Sequence, residues 1–231
     1  EKEYLTSGAS GRCGAGIRQQ WGTEMNCRLA KASMDIFENI NEELGVERDI
    51  ELKQGGYLLL AYSDKEIEQF RKNIKLQNSL DIPSREISLE EVKELVPYIN
   101  LDGVVGATYC PTDGHANPFY TTIAYAEAAQ KLGVEINTYT EALDIKVENG
   151  RIKGVETNKG FIETDKVVNA AGGFAKEIGQ MVGLDIPVKP ERHEIMVTEK
   201  VNPLQKPMVM SFSYDIYCQQ TPDGSFVMGY G

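Results

Sequence analysis

The sequence predicts a mixed α/β fold built from two interleaved parts, and three observations carry that expectation. Helix and strand signals alternate through much of the chain, the pattern of a parallel α/β sheet. Residues 50–62 and 191–231 instead read as long antiparallel runs that belong to a second sheet. The two patterns alternate along the chain, so neither domain is contiguous. One is expected from residues 1–45 and 119–186, the other from residues 46–118 and 187–231.

Each element has its own local reason. Thr23 stands where a helix cap would, before Met25, Leu29, Ala32, Ile36, Ile40 and Leu44, which recur at steps of three and four and stop at Gly45. Gly55-Gly56 leads into YLLLAY, a strand entered through a tight turn. Two charged helices follow at about 64–79 and 88–96, the second stopped by Pro97, and both read as solvated. The stretch GVVGATYCPTDGHANP gives a strand and a polar loop. Its last residues, Asn117 and Pro118, suit the start of a helix that runs to Leu132 and ends at Gly133.

Residues 134–138 read as a short strand. Leu143, Ile145 and Val147 alternate, Asn149-Gly150 offers a hairpin turn, and residues 152–157 form the return strand. A turn at Asn158-Lys159-Gly160 leads to residues 161–164. KVV, residues 166–168, is a short apolar strand that breaks into NAAGG and a helix at about 174–182. RHEIMVTEK, MVMSFS and IYCQQTPDGSFVMGYG complete the antiparallel run.

Composition narrows the function classes. An apolar content of 41% and a charged content of 26% belong to a globular chain. A net charge of -11 argues against nucleic acid or an anionic membrane as a main partner, since both require a basic stripe. No apolar run approaches the ~20 residues of a membrane span. Cys13, Cys27, Cys110 and Cys218 are widely spaced without a CxxC pair, which fits reduced thiols of a cytoplasmic protein. With His115 and His193 alone, no metal site is expected.

Three features bear on chemistry. SGASGRCGAG, residues 7–16, holds four glycines in ten positions. Its backbone N–H groups, the Ser7 and Ser10 hydroxyls and Arg12 suit a pyrophosphate, and its composition equally suits a mobile surface loop. NAAGG lets a backbone approach either a cofactor or a packed helix. Glu1 on its own reads as a terminal charge. The acidic residue that holds a ribose in dinucleotide folds follows a GxGxxG turn, and none precedes Glu1.

Taken in order, EKEYLTSGASGRCGAGIRQQW, QGGYLLLA, GATYCPTDGHANP, EINTYTEALDIKVENGRIKGVETNKG, VVNAAGGFA and IYCQQTPDG resemble the D-amino-acid oxidase superfamily of flavoproteins. Within it the resemblance is to the sarcosine oxidase β subunit, L-proline dehydrogenase β subunit and glycine oxidase group. It implies a Rossmann-like FAD-binding domain interleaved with a substrate domain on a mixed sheet. It implies that Glu1 and Lys2 lie at the adenosine ribose, and that Gly8, Ala9, Ser10, Arg12, Cys13, Gly14 and Ala15 run along the pyrophosphate towards the flavin. Ala142 falls where the family presents backbone to adenine, and Ala171 and Gly172 pack against the cofactor.

The implied chemistry is oxidation of a C–N bond of a small amine or amino acid by hydride transfer to FAD. Arg18 and Tyr217 are the implied contacts to the substrate and its carboxylate, with an ion pair and sheet packing as their structural alternatives. Partner subunits are implied, as in the heteromeric members.

The departures matter too. Pro118 stands where a sarcosine oxidase β subunit attaches FMN through histidine, which excludes that link. Val227 and Gly231 replace basic or histidine residues of monomeric sarcosine oxidases, and Arg12 or Cys13 stands near the flavin-linked histidine of dimethylglycine-type enzymes. Glycerol-3-phosphate dehydrogenases share the fold but need a basic phosphate pocket, which the sequence does not show. The chain is expected to be the middle of a longer protein, and weak or absent FAD binding by this piece alone is expected without the GxGxxG turn. The alternative is a chain that folds, binds no flavin and acts as an accessory polypeptide.

Overall fold

The computed structural model describes residues 1–230 and shows a mixed α/β fold. In chain order the first elements are β1 (Gly16–Ile17), α1 (Glu24–Glu38), α2 (Ile40–Leu44), β2 (Tyr57–Ala61), α3 (Asp64–Asn78), β3 (Arg85–Ile87) and α4 (Leu89–Leu95). Then come β4 (Gly106–Cys110), β5 (Gly114–His115), α5 (Pro118–Lys131), β6 (Ala142–Glu148), β7 (Arg151–Thr157) and β8 (Gly160–Glu163). The last are α6 (Ala175–Gln180), β9 (Glu194–Val197), β10 (Met208–Ser211), β11 (Ile216–Gln220) and β12 (Phe226–Tyr230).

The chain divides into two compact units. One joins Glu1–Arg12 to Tyr125–Arg192, and the other joins Cys13–Ala124 to the segment from His193. Residues 13–45, which the sequence grouped with the cofactor-binding segments, lie within the second of these units.

The second unit is built on a seven-stranded sheet of order β3-β4-β2-β10-β11-β12-β9. Strand β2 is buried at all five positions, as befits a central strand covered on both faces. Side chains alternate along it. Leu58 and Leu60 pack with Val92 and Val96 on one face, while Tyr57, Leu59 and Ala61 pack with Ile67 and Phe70 on the other. Helix α3 therefore departs from the solvated helix the charge pattern suggested. Its polar face is wet, but Ile67, Phe70 and Gln77 are buried against the sheet.

Local chemistry sets the helix boundaries. The Ser63 hydroxyl accepts from the Glu66 N–H at 3.3 Å, and the Glu66 carboxylate accepts from the Tyr62 N–H at 2.8 Å, a reciprocal start to α3. Ser63→Ala is expected to cost about 1 kcal/mol, read as a shift in urea midpoint without a change in slope. At α5, Asn117 Oδ1 accepts from the Phe119 and Tyr120 N–H groups at 3.0 and 3.2 Å, and Pro118 takes the first helical position. Thr23 precedes α1 as expected, but its side chain makes no capping bond.

The first unit holds the antiparallel meander β6-β7-β8. Asn149 and Gly150, at φ 51° and 73°, make the two-residue turn that their sequence announces. The strands expected at residues 134–138 and 166–168 do not form. A strand needs a neighbour to complete its ladder, and among the described residues no strand pairs with these segments, although the Glu1 ammonium donates to the Asn137 carbonyl at 3.1 Å; Val168 is 89% exposed. Helix–strand alternation likewise produces little parallel sheet: among the described residues the parallel pair is β2 with β10, in the second unit.

Candidate functional site

In the second unit, the segment Arg18–Trp21 is clamped onto the sheet by a buried carboxylate. Asp113, in the turn between β4 and β5, is fully buried. Its Oδ1 accepts from the Gln19 N–H at 2.8 Å and its Oδ2 from Gln20 Nε2 at 3.1 Å. Gln20 Nε2 also donates to the Tyr57 carbonyl at 3.0 Å, and its Oε1 accepts from the Thr108 hydroxyl. Gln77 Nε2 donates to the Trp21 carbonyl at 2.8 Å, which ties the end of the segment to α3. Burial pushes the Asp113 carboxyl up to about 6, against the lowering effect of the bonds from Gln19 and Gln20.

This clamp presents Arg18. Its guanidinium lies 4.2 Å from the Trp21 ring and 5.3 Å from the Phe212 ring, and Nη1 donates to Met210 Sδ at 3.0 Å. Nε is buried and has no partner. Burial lowers the Arg18 pKa from its ordinary value, while Tyr57 and Asp113 oppose the shift. Arginine nevertheless stays charged, so a cation with an unused donor faces a cavity of about 200 Å3. Leu59, Phe70 and Phe212 supply apolar wall, and Asn73 and Gln77 supply amides.

Tyr217, on β11, is half-buried between two glycines. A Cβ at Gly14 would stand 2.7 Å from its ring, and one at Gly229 2.2 Å. The ring thus occupies the space that side chains on the loop and on β12 would fill, and Gln219 Nε2 donates to the Gly14 carbonyl beside it. Cys13 is exposed, and its Sγ accepts weakly from the Ala15 N–H at 3.4 Å. Ala15 holds a left-handed backbone at φ 58°. Val227 stands in β12 opposite Gln219, and Gly231 lies outside the described residues. The second unit therefore gathers Cys13, Gly14, Ala15 and Tyr217 into one neighbourhood, and Arg18 bonds to Met210, the cross-strand partner of Tyr217. The four cysteines are all thiols, and burial raises Cys110 to about 11, which keeps it protonated.

The first unit carries the remaining candidates. Lys2 Nζ sits 3.7 Å from the Phe174 ring centre, which brings it beside Ala171 and Gly172. Glu1 Oε1 accepts from the Glu3 N–H at 3.0 Å and, at 3.5 Å, from the Ser7 hydroxyl at the start of the Gly-rich loop. That loop makes a 3-10 turn over Ala9–Arg12, with Gly8, Ala9, Ser10 and Arg12 exposed. A Cβ placed at Gly8 or Gly172 would meet nothing within 4 Å, so open backbone is available there to a ligand. Open backbone beside Lys2 and Arg12 fits an anionic cofactor such as FAD. Ala142 stands half-buried in β6 opposite Thr157. Sequence reasoning did not single out Asp113 or Gln77. The first read as part of a polar loop, and the second lay on a helix read as solvated.

The whole chain, residues 1–231, matches the family described as DAO: FAD dependent oxidoreductase. Among solved structures it is similar to L-proline dehydrogenase from P. horikoshii, at 41% identity and a TM-score of 0.92, over 100% of this chain and 62% of that one. Among curated proteins it is 30% identical to the mitochondrial dimethylglycine dehydrogenase of Rattus norvegicus, over 97% of this chain and 26% of the relative. It is also 30% identical to the mitochondrial pyruvate dehydrogenase phosphatase regulatory subunit of Mus musculus, over 100% of this chain and 26% of the relative. The chain thus spans about a quarter of these two curated relatives. No helix of the described residues is long and apolar enough to cross a membrane.

Proposed function

Because the chain belongs to the DAO family of FAD-dependent oxidoreductases, we propose that it serves the oxidation of a C–N bond in a small amine or amino acid of the proline, sarcosine, glycine or dimethylglycine type. The observation that carries this reading is Arg18, a clamped cation with an unpartnered buried donor on a small cavity. In this reading Arg18 receives the substrate carboxylate, and Tyr217 closes the opposite side of the loop as a substrate contact. Trp21 and Phe212 keep the Arg18 guanidinium stacked, which strengthens its hold on an anion by limiting its contact with water.

In the first unit FAD would be held by Glu1 and Lys2 at the ribose, by Gly8, Ala9, Ser10 and Arg12 at the pyrophosphate, and by Ala142, Ala171 and Gly172; the same loop continues as Cys13, Gly14 and Ala15. When bound it supplies the hydride acceptor, while the chain's own groups bind and orient the amine. Partner subunits and a cytoplasmic location complete the proposal.

The test is a titration of the purified full-length protein with FAD, followed by anaerobic addition of proline, sarcosine, glycine and dimethylglycine. Uptake of FAD and bleaching of its visible absorbance by one of these compounds is the expected result. Failure to take up FAD would instead favour the second reading, a folded accessory polypeptide without flavin chemistry. The similarity to a protein named as a regulatory subunit supports that alternative.

A further inference from the structure

The Arg18 segment begins where regular pairing stops. Strand β1 pairs antiparallel with β5, Gly16 opposite His115 and Ile17 opposite Gly114, and the Ala116 N–H donates to the Ala15 carbonyl at 3.3 Å. Extending that register by one step puts Asp113 opposite Arg18, but there the backbone ladder ends and side chains take its place. The Asp113 carboxylate accepts from the Gln19 N–H and from Gln20 Nε2, and Thr112 Oγ1 accepts from Gln19 Nε2 at 2.9 Å. Burying a carboxylate costs stability, and an asparagine could accept at this place with one oxygen. The carboxylate adds a second acceptor in the same plane, which fixes two consecutive residues after Arg18 together.

The contacts of the Arg18 side chain do not supply that precision. Two ring faces and a thioether are soft partners on which a guanidinium can slide. Nε has almost no accessible surface, and Nη1 donates to Met210 Sδ. Among the described residues Nη2 has no partner, and it is not sealed from solvent, so it is the donor left for a ligand. A carboxylate on Nη2 is held only as precisely as residues 18–20 are. We infer that Asp113 is a positioning residue for the substrate carboxylate, acting through Gln19 and Gln20 to hold the Arg18 guanidinium in one orientation. The inference rests on the proposal that Arg18 receives that carboxylate, and it adds the residue that aims it.

The test measures binding rather than turnover. The full-length protein is titrated calorimetrically at neutral pH with propionate and with propionamide, its neutral analogue. Arg18→Met, Asp113→Ala and Asp113→Asn are compared with the native protein, each checked for folding by circular dichroism. Asp113→Ala is expected to weaken propionate about tenfold, because the ligand must then order a loose segment, and propionamide less than about twofold. Asp113→Asn keeps an acceptor for the Gln19 N–H and is expected to weaken propionate about threefold. Loss of the Asp113 charge by itself would strengthen an anion's hold on Arg18, so weaker binding reports lost positioning. A merely structural role would lower the unfolding midpoint and leave the split between the two ligands at its native size. A folded Asp113→Ala protein with native propionate affinity overturns the inference. Where that variant does not fold, native affinity in Asp113→Asn does so, and an equal loss for both ligands overturns it as well. If Arg18→Met weakens propionate and neither Asp113 variant does, the Arg18 reading stands and only the positioning role falls. Propionate binding that ignores Arg18→Met, or no saturable propionate binding at all, removes both.

Discussion

Asp113→Ala is expected to destabilise the protein by about 3 kcal/mol at pH 5, measured by urea unfolding. The carboxylate is fully buried and accepts the Gln19 N–H and the Gln20 side-chain amide. Truncation strands the first donor outright, while Gln20 Nε2 keeps its bond to the Tyr57 carbonyl. Asp113→Asn should cost less, since Oδ1 of the amide can still accept from Gln19.

The comparison with Asn also has a pH dependence of definite sign. Burial holds the Asp113 carboxyl at about 6 in the folded chain, above the unfolded value of about 3.9. Between those values the folded state binds more protons, so this residue's contribution is fully present below pH ~4 and falls as pH rises through ~6. The advantage of the native protein over Asp113→Asn should therefore shrink by up to about 3 kcal/mol from pH 4 to pH 7. Arg18 and Tyr57 face this carboxyl electrostatically and Cys110 hydrogen-bonds it, and all three keep their charge state across that range. A gap that stays constant with pH would show that Asp113 is ionised throughout.

The second large effect concerns binding and turnover. If the proposed amine oxidation holds, Arg18→Met lowers kcat/KM at least a hundredfold, or about 3 kcal/mol, with KM bearing most of the loss. Methionine preserves contact with Trp21 and Phe212 but removes the charge and the unpartnered Nε donor. Arg18→Lys should recover part of the loss, because a point charge holds a carboxylate without the planar fork. A substrate without a carboxylate should be nearly indifferent to either change. If both substrate types lose activity equally, Arg18 acts on the fold rather than on the ligand.

What could be read from the sequence follows the range of the interactions involved. Asn117-Pro118, Asn149-Gly150 and the apolar run of β2 were legible because caps, turns and buried strands are specified by adjacent residues. Residues 134–138 and 166–168 were misread because their strand propensity is local while a ladder is not. Helix α3 did carry a usable signal. Ile67, Phe70, Ile74 and Gln77 recur at steps of three and four, but the charges between them dominated the reading. Asp113 gave no such sign: a Thr-Asp-Gly turn looks the same whether its carboxylate meets water or two amides supplied from residues 19 and 20.

The pairing of β2 with β10 has a consequence for synthesis. Tyr57 and Met208 are neighbours in the sheet, so the most apolar strand of the chain emerges long before one of its two partners exists. With roughly 150 residues still to come at ribosomal rates of about 5–20 residues per second, one edge of β2 waits about 8–30 s for its partner. During that interval the strand offers an unpaired hydrogen-bonding edge to any other nascent chain, and a slow-growing or overloaded host would be the setting in which this protein is lost to inclusion bodies.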